Sequence, residues 1–313
     1  MTTQRFLGVV QFPHPGGEHR VGADGWAPWN TGPHLRKFMQ LEGTYRDQND
    51  VDHTGSLTAW GEWEGPSKLI TKLSDGARGS TMHSKGDPRY LVAPVFPGHT
   101  LPVSGLQNTD PYIFGERFLY SVCKQKTVKR LTRVEPGSLL LFGSQVEGMF
   151  VLDTVFVVGA GPIRHSRHTW ADELDGDVSD VYQAATLEPM YADVKTRDED
   201  QFSLYAGATA DQPVFGMYSF FPCRPADDLQ QQGFQRPAIV LDGMVNPASR
   251  QSPKTTTADL DTITAVWRSV VRQVRDAGLC LGLHAVEPQR QDVPAGVWPG
   301  PLSSKQQRKK GSC

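Results

Sequence analysis

Hydrophobic and polar positions along this chain alternate in short stretches, and the stretches are separated by turn-forming residues. RFLGVVQF at 5–12 reads as a first strand, broken by the turn residues of PHPGGEH. TGPHLRKFMQLEG at 31–43 carries Leu35, Phe38 and Met39 at helical spacing. Thr31 or Asn30 is placed to cap it and Gly43 to stop it, so a helix is expected there. SLTAWGEWEG alternates and predicts a strand, on which Trp60, Glu62 and Glu64 would share one face and Trp63 the other. LSDGARGSTMHSKGDP predicts a loop, and RYLVAPVF a further strand.

The strongest pattern lies between Asp110 and Gly159. RFLYSVC predicts a strand, and KQKTVKRLTRV a short helix or polar connection. VEPGSLLLFGS and GMFVLDTVFVVG are apolar, β-branched runs joined by QVEG, which reads as a hairpin turn. HSRHTWADELDGDVSD is a polar linker or lid. FGMYSFFPC and PAIVLDGMV predict strands. TTTADLDTITAVWRSVVRQVRDAG predicts one long C-terminal helix, with Gly278 as its stop, and LCLGLHAV returns as a strand. The expected architecture is α+β, with strands in a larger mixed or antiparallel sheet. Residues 1–302 read as one globular unit and 303–313 as a disordered basic tail.

Composition changes this picture little. The 313 residues carry a net charge of −2, which gives no global attraction to nucleic acid or acidic membranes. No apolar run approaches the roughly 18 to 20 residues of a membrane helix. The N-terminus does not read as a signal peptide. Four dispersed cysteines without a CxxC pair argue against a zinc ribbon or a disulfide framework, so reduced thiols in a cytoplasm are the expectation. P-loop, GxGxxG, GxSxG and deaminase signatures are absent.

The residues Cys123, Lys124, Gly137, Ser138, Leu139, Gly143 and Ser144 follow the order of a Cys-Lys strand, a turn-launched strand and a Gly-Ser turn. This order resembles the PUA-like superfamily, which includes the ASCH, EVE and YTH domains. Within it the segment is most similar to the nucleotide-modification-associated (Nmad) domains. It departs from them where Ser138 stands for the usual Asp and Leu139 for the usual aromatic. The resemblance implies a PUA-like β-barrel element near 110–160 and a role in recognising or modifying a nucleobase in DNA or RNA. A plain buried hairpin is the competing account of the same residues.

Two groups carry the candidate chemistry. For base binding they are Asn108, Asp110, Tyr112, Arg117 and Tyr120, with Trp29 and Trp63, because bases are read by stacking and by hydrogen bonds to their edges. For acid or base work they are Glu62 and Glu64, where neighbouring indoles would raise the carboxyl pKa, and Asp153, a charge inside an apolar strand. His14 and His19 with His34 offer imidazoles, but PHPGGEH cannot form a ligand helix and no metal is assigned. His165 and His168, with Arg164 and Arg167, form either a phosphate-contacting patch or a solvated loop. A nucleic acid or nucleotide is the expected partner, and the sequence leaves the cofactor open. The alternative is a small-molecule hydrolase or transferase built on the N-terminal His/Trp/Glu cluster.

Overall fold

The apolar runs LLLF and VFVV build the centre of the molecule because both of their faces are covered. In the computed structural model, which describes residues 5–73, 86–98, 104–226, 233–250, 252–294 and 297, thirteen strands form two sheets. The strands are β1 (Gly8–His14), β2 (Trp26–Ala27), β3 (Lys37–Arg46), β4 (Asp52–Gly61), β5 (Ser67–Lys72), β6 (Tyr90–Pro94) and β7 (Leu119–Tyr120). They continue with β8 (Leu139–Val146), β9 (Met149–His165), β10 (Phe202–Gly207), β11 (Phe221–Pro225), β12 (Lys254–Thr257) and β13 (Cys280–Ala285). The helices are the short α1 (Trp170–Glu173), α2 (Asp180–Tyr182) and α3 (Glu188–Ala192), and the 17-residue α4 (Leu260–Asp276).

One sheet runs β12-β1-β8-β9-β10-β7. In it β1 pairs parallel with β8, and β8 antiparallel with β9. Leu140, Phe142, Phe156 and Val158 face a core shared with β3 and β4, while Leu139, Leu141, Val155 and Val157 face a second core with α4. A strand buried on both sides needs a continuous apolar run rather than alternation. The β8–β9 turn at Glu147 and Gly148 has positive φ at both residues, as a two-residue hairpin requires. α4 packs through Ile263, Val266, Trp267, Val270 and Val274. Asp259 caps it by accepting the Thr262 amide, and Gly278, at φ +71°, follows its end.

The other sheet runs β13-β11-β4-β3-β6-β5-β2, and β13 also pairs with β3. The molecule is thus mixed α+β with two sheets and few helices. The expected barrel is not closed: β8 and β9 belong to the open six-stranded sheet. Three further expectations change. In place of the helix expected at 31–43, residues 37–43 are the start of β3, because Phe38 and Met39 are held between β4 and β6, and Leu41 pairs with Leu57 of β4. PAIVLDGMV touches β9 only through a bridge at Ala238 and then turns. In FGMYSFFPC a tight turn at Phe215 and Gly216 delays the strand to Phe221. The expected loop at 73–88 lies mostly, and the tail at 303–313 wholly, outside the described residues. No helix among the described residues is long and apolar enough to cross a membrane.

Gly43 marks the tightest strand crossing. It pairs with Gly55 on one side and Ala285 on the other, and a Cβ there would run into the His284 carbonyl. A Cβ on Gly55 meets nothing within 4 Å. Gly43→Ala is therefore expected to lose about 1–3 kcal/mol by urea unfolding, whereas Gly55→Ala leaves the midpoint unchanged or raises it.

Candidate active-site pocket

The pairing of β3 with β4 sets Lys37 opposite Gly61. The residues just outside that pair, 34–36 and 62–64, therefore lie side by side where both strands end. Here β1 ends at His14 from the other sheet, and the chain near Asp110 and Cys123 closes over them. The result is a pocket of about 590 Å³ whose floor holds His14, His34, Glu62, Asp110 and Cys123.

Below the floor sits Arg36, 1% exposed. Its Nε donates to Asp153 Oδ2 at 2.6 Å and another nitrogen donates to His14 Nδ1. Its Nη1 lies 2.9 Å from Glu62 Oε2, too poorly aligned to complete a hydrogen bond. His14 Nδ1 also lies 3.3 Å from Glu62 Oε2; a guanidinium can only donate, and the tautomer that accepts from it carries the ring proton on Nε2. Nε2 is 3.2 Å from Cys123 Sγ and donates to it. Burial, with Arg36 beside it, keeps His14 below its ordinary value and hence neutral. Burial pushes the Cys123 thiol well up, helped by the negative charges of Asp110 and Glu62, so it rests as a thiol.

Asp153 enters this network through a bulge. Phe142 pairs with Thr154 and Gly143 with Leu152, which leaves Asp153 as the extra residue of β9. A buried charge in an apolar strand needs partners, and Asp153 has Arg36, Arg236 at 3.3 Å and the Ser144 hydroxyl. It is absent from the pocket lining, so it holds the floor rather than meeting a ligand.

The carboxylates do not behave as expected from their tryptophan neighbours. The strand ends at Gly61, so Glu62 and Glu64 are not in alternation and both are buried. Burial alone would raise Glu62, but Arg36 and His34 outweigh it and hold its carboxyl well below the usual range. His34 is lowered by burial and raised more strongly by Glu62 and Glu64, to about 10. Burial draws Lys37 down to about 7 against the attraction of Glu64, and its amine donates to Gly65 O and Ser67 Oγ. Asp110 is raised by burial to about 7, although it accepts the amides of Ser121, Val122 and Cys123.

The remaining expected binding residues are distributed differently. Asn108 and Asp110 line the pocket. Trp29 and Trp63 are core, their indoles donating to Gln107 O and Pro66 O. Tyr120 is fully buried and donates to Cys123 O. Tyr112 and Arg117 line a separate, smaller pocket beside Glu287. Of the imidazoles, His19 contacts Arg20 O and does not join the floor. His165 is buried against Tyr191, and His168 is exposed near Asp198. Arg36 and Arg236 were not anticipated. Arg36 was hidden by the helical reading of its segment, although strand alternation of His34, Arg36 and Phe38 marks it. Arg236 carries no local signal.

Asp153→Asn leaves two buried guanidiniums short of a counter-charge and is expected to lose about 3–5 kcal/mol in urea unfolding. His165 gives a pH effect of fixed sign. Burial lowers it from 6.5 to about 4, so the unfolded chain takes up its proton first as pH falls. Stability present above pH 6.5 is lost between 6.5 and 4, up to about 3 kcal/mol. Calorimetry should show this acid slope shrinking in His165→Asn. Comparison with protein-family models, with curated proteins and with solved structures gives no match, and the functional account rests on the pocket's own geometry.

Proposed function

We propose that the protein is an enzyme that binds a nucleotide or a similarly sized phosphorylated small molecule in this pocket and performs acid–base chemistry on its organic part. The observation that carries this is the layering of charge. The floor presents carboxylates and imidazoles, and the more exposed part of the lining carries Lys124, Lys126, Lys195 and Arg250 with one carboxylate, Asp193. Lys126 is held by Asp200 at 2.7 Å. Among the described residues Lys124 and Lys195 have no acidic partner within ion-pair distance, which leaves them for a ligand phosphate.

Inside the mouth, Asn108 and the floor carboxylates offer donors and acceptors suited to the edge of a base. The likeness of the Cys123–Ser144 segment to nucleotide-modification-associated domains and to the PUA-like fold supports the same ligand class. Asp110 is the group placed to exchange a proton near neutral pH, since its carboxyl is raised to about 7. Glu62 stays ionised and fixes the charge of the floor. This account joins the base-binding expectation to the small-molecule alternative: a pocket of this size takes a single nucleotide, and the net charge of −2 gives no broad attraction to a polymer.

Thermal shift and calorimetric titration with nucleoside monophosphates, the matching nucleosides, sugar phosphates and short oligonucleotides test this. Phosphorylated small molecules should bind, nucleosides at least tenfold more weakly, and the Lys124→Ala/Lys195→Ala double variant should lose at least tenfold in affinity. Preference for the oligonucleotide, or no binding by any phosphorylated compound, overturns the proposal.

A further inference from the structure

Where His34 and Glu62 line the pocket floor, Glu64 lies buried behind them, and the three ligand-type side chains converge. His34 Nδ1 lies 3.2 Å from Glu62 Oε1 and 2.8 Å from Glu64 Oε1. All three atoms lie within 4.8 Å of one another. An imidazole nitrogen carries at most one proton, so it cannot form a good hydrogen bond to both carboxylates together. The second oxygen of Glu64 is buried without a hydrogen-bond partner, in a side chain only 1% exposed. A buried carboxylate oxygen left unpaired is costly, and such an atom needs an account.

We infer that His34, Glu62 and Glu64 bind a divalent transition-metal cation of the Mn²⁺ or Zn²⁺ type. Metal–nitrogen and metal–oxygen distances of about 2.1 Å at tetrahedral or octahedral angles place neighbouring ligand atoms about 3.0–3.4 Å apart, close to the separations seen here. One imidazole with two carboxylates is a donor set that suits these ions. The surroundings complete a metal site. Glu62 turns Oε1 toward His34 and Oε2 toward Arg36, so the guanidinium orients the carboxylate from behind. Arg36 is in turn matched by Asp153, which leaves Glu64 without a guanidinium of its own. His34 is one-third exposed at the pocket floor, so the open side of the cation would face the bound ligand, as a catalytic rather than a structural ion requires.

The site shares its pocket with the proposed function but does not depend on the ligand class, because metal is counted with no substrate present. The full-length protein, stripped with EDTA, is titrated with MnCl₂ while free Mn²⁺ is followed by electron paramagnetic resonance, and with ZnCl₂ by equilibrium dialysis. One ion per chain is expected. Glu64→Gln and His34→Gln should each weaken it by at least 100-fold, with circular dichroism showing that both variants remain folded. If both unfold, the histidine NMR spectrum of the wild-type protein provides the second readout: paramagnetic Mn²⁺ should broaden the His34 ring signals at substoichiometric metal. Absence of binding at 1 mM of either ion, binding that folded variants retain, or His34 ring signals that Mn²⁺ leaves sharp overturns the inference. A protein that takes up the metal but binds no phosphorylated compound overturns only the earlier proposal. Ligand binding by the stripped protein with no metal site overturns only this one.

Discussion

The pocket depends on one buried guanidinium. Arg36 joins Glu62, which follows β4, to Asp153 on β9 and to His14 at the end of β1. These residues come from both sheets, so one side chain fixes the distance between them at the point where their strands end. Burying such a charge is favourable only when it is surrounded by carboxylates and acceptors of good geometry. That requirement explains the surrounding residues. Asp153 needs the bulge to reach Arg36, and its other oxygen needs Arg236, which lies over the Trp60 ring at 4.9 Å and donates to Gly16 O.

The apolar framework makes this polar knot possible. β8 and β9 are buried on both faces, so their ends are held rigidly by two cores. Phe12 stacks on Phe142 at 4.4 Å, directly below the pair formed by His14 and Ser144. The polar residues therefore begin where the aromatic packing stops. A site carried on strand ends with packing beneath it keeps its geometry better than one carried on loops alone.

How much of this was legible in the sequence follows from what each signal measures. The hairpin at 139–159 was readable because a double-sided core leaves a continuous apolar record. The run LRKFMQL was misread because Leu35, Phe38 and Met39 fit a helical period as well as a strand that has apolar neighbours on both sides, and short runs do not separate the two. Asp153 stood out as a charge among valines and leucines, but its partners lie 117 and 83 residues away in the chain, so its task was not readable locally. Tyr120 and Trp63 looked like stacking surfaces. Their polar atoms are used instead on backbone carbonyls, which buried phenols and indoles need as much as a ligand does.

The same network separates the roles of the three acidic residues singled out at the start. Asp153 faces two guanidiniums and no open space. Glu62 faces a guanidinium on one side and the pocket on the other. Glu64 faces an imidazole and lies near the buried Lys37, and one oxygen of each glutamate has no hydrogen-bond partner. Guanidinium pairing thus falls from two at Asp153 to one at Glu62, and Glu64 relies on His34, which opens toward solvent, and on the buried amine of Lys37. A fold that needed only a rigid floor would be completed by Arg36, Asp153 and Glu62. Glu64 adds a buried charge behind that floor without adding a bond between the sheets, and its counter-charges are local, His34 in front of it and the buried Lys37 nearby, so any cation taken up at this corner has to displace the proton that His34 holds between the two carboxylates.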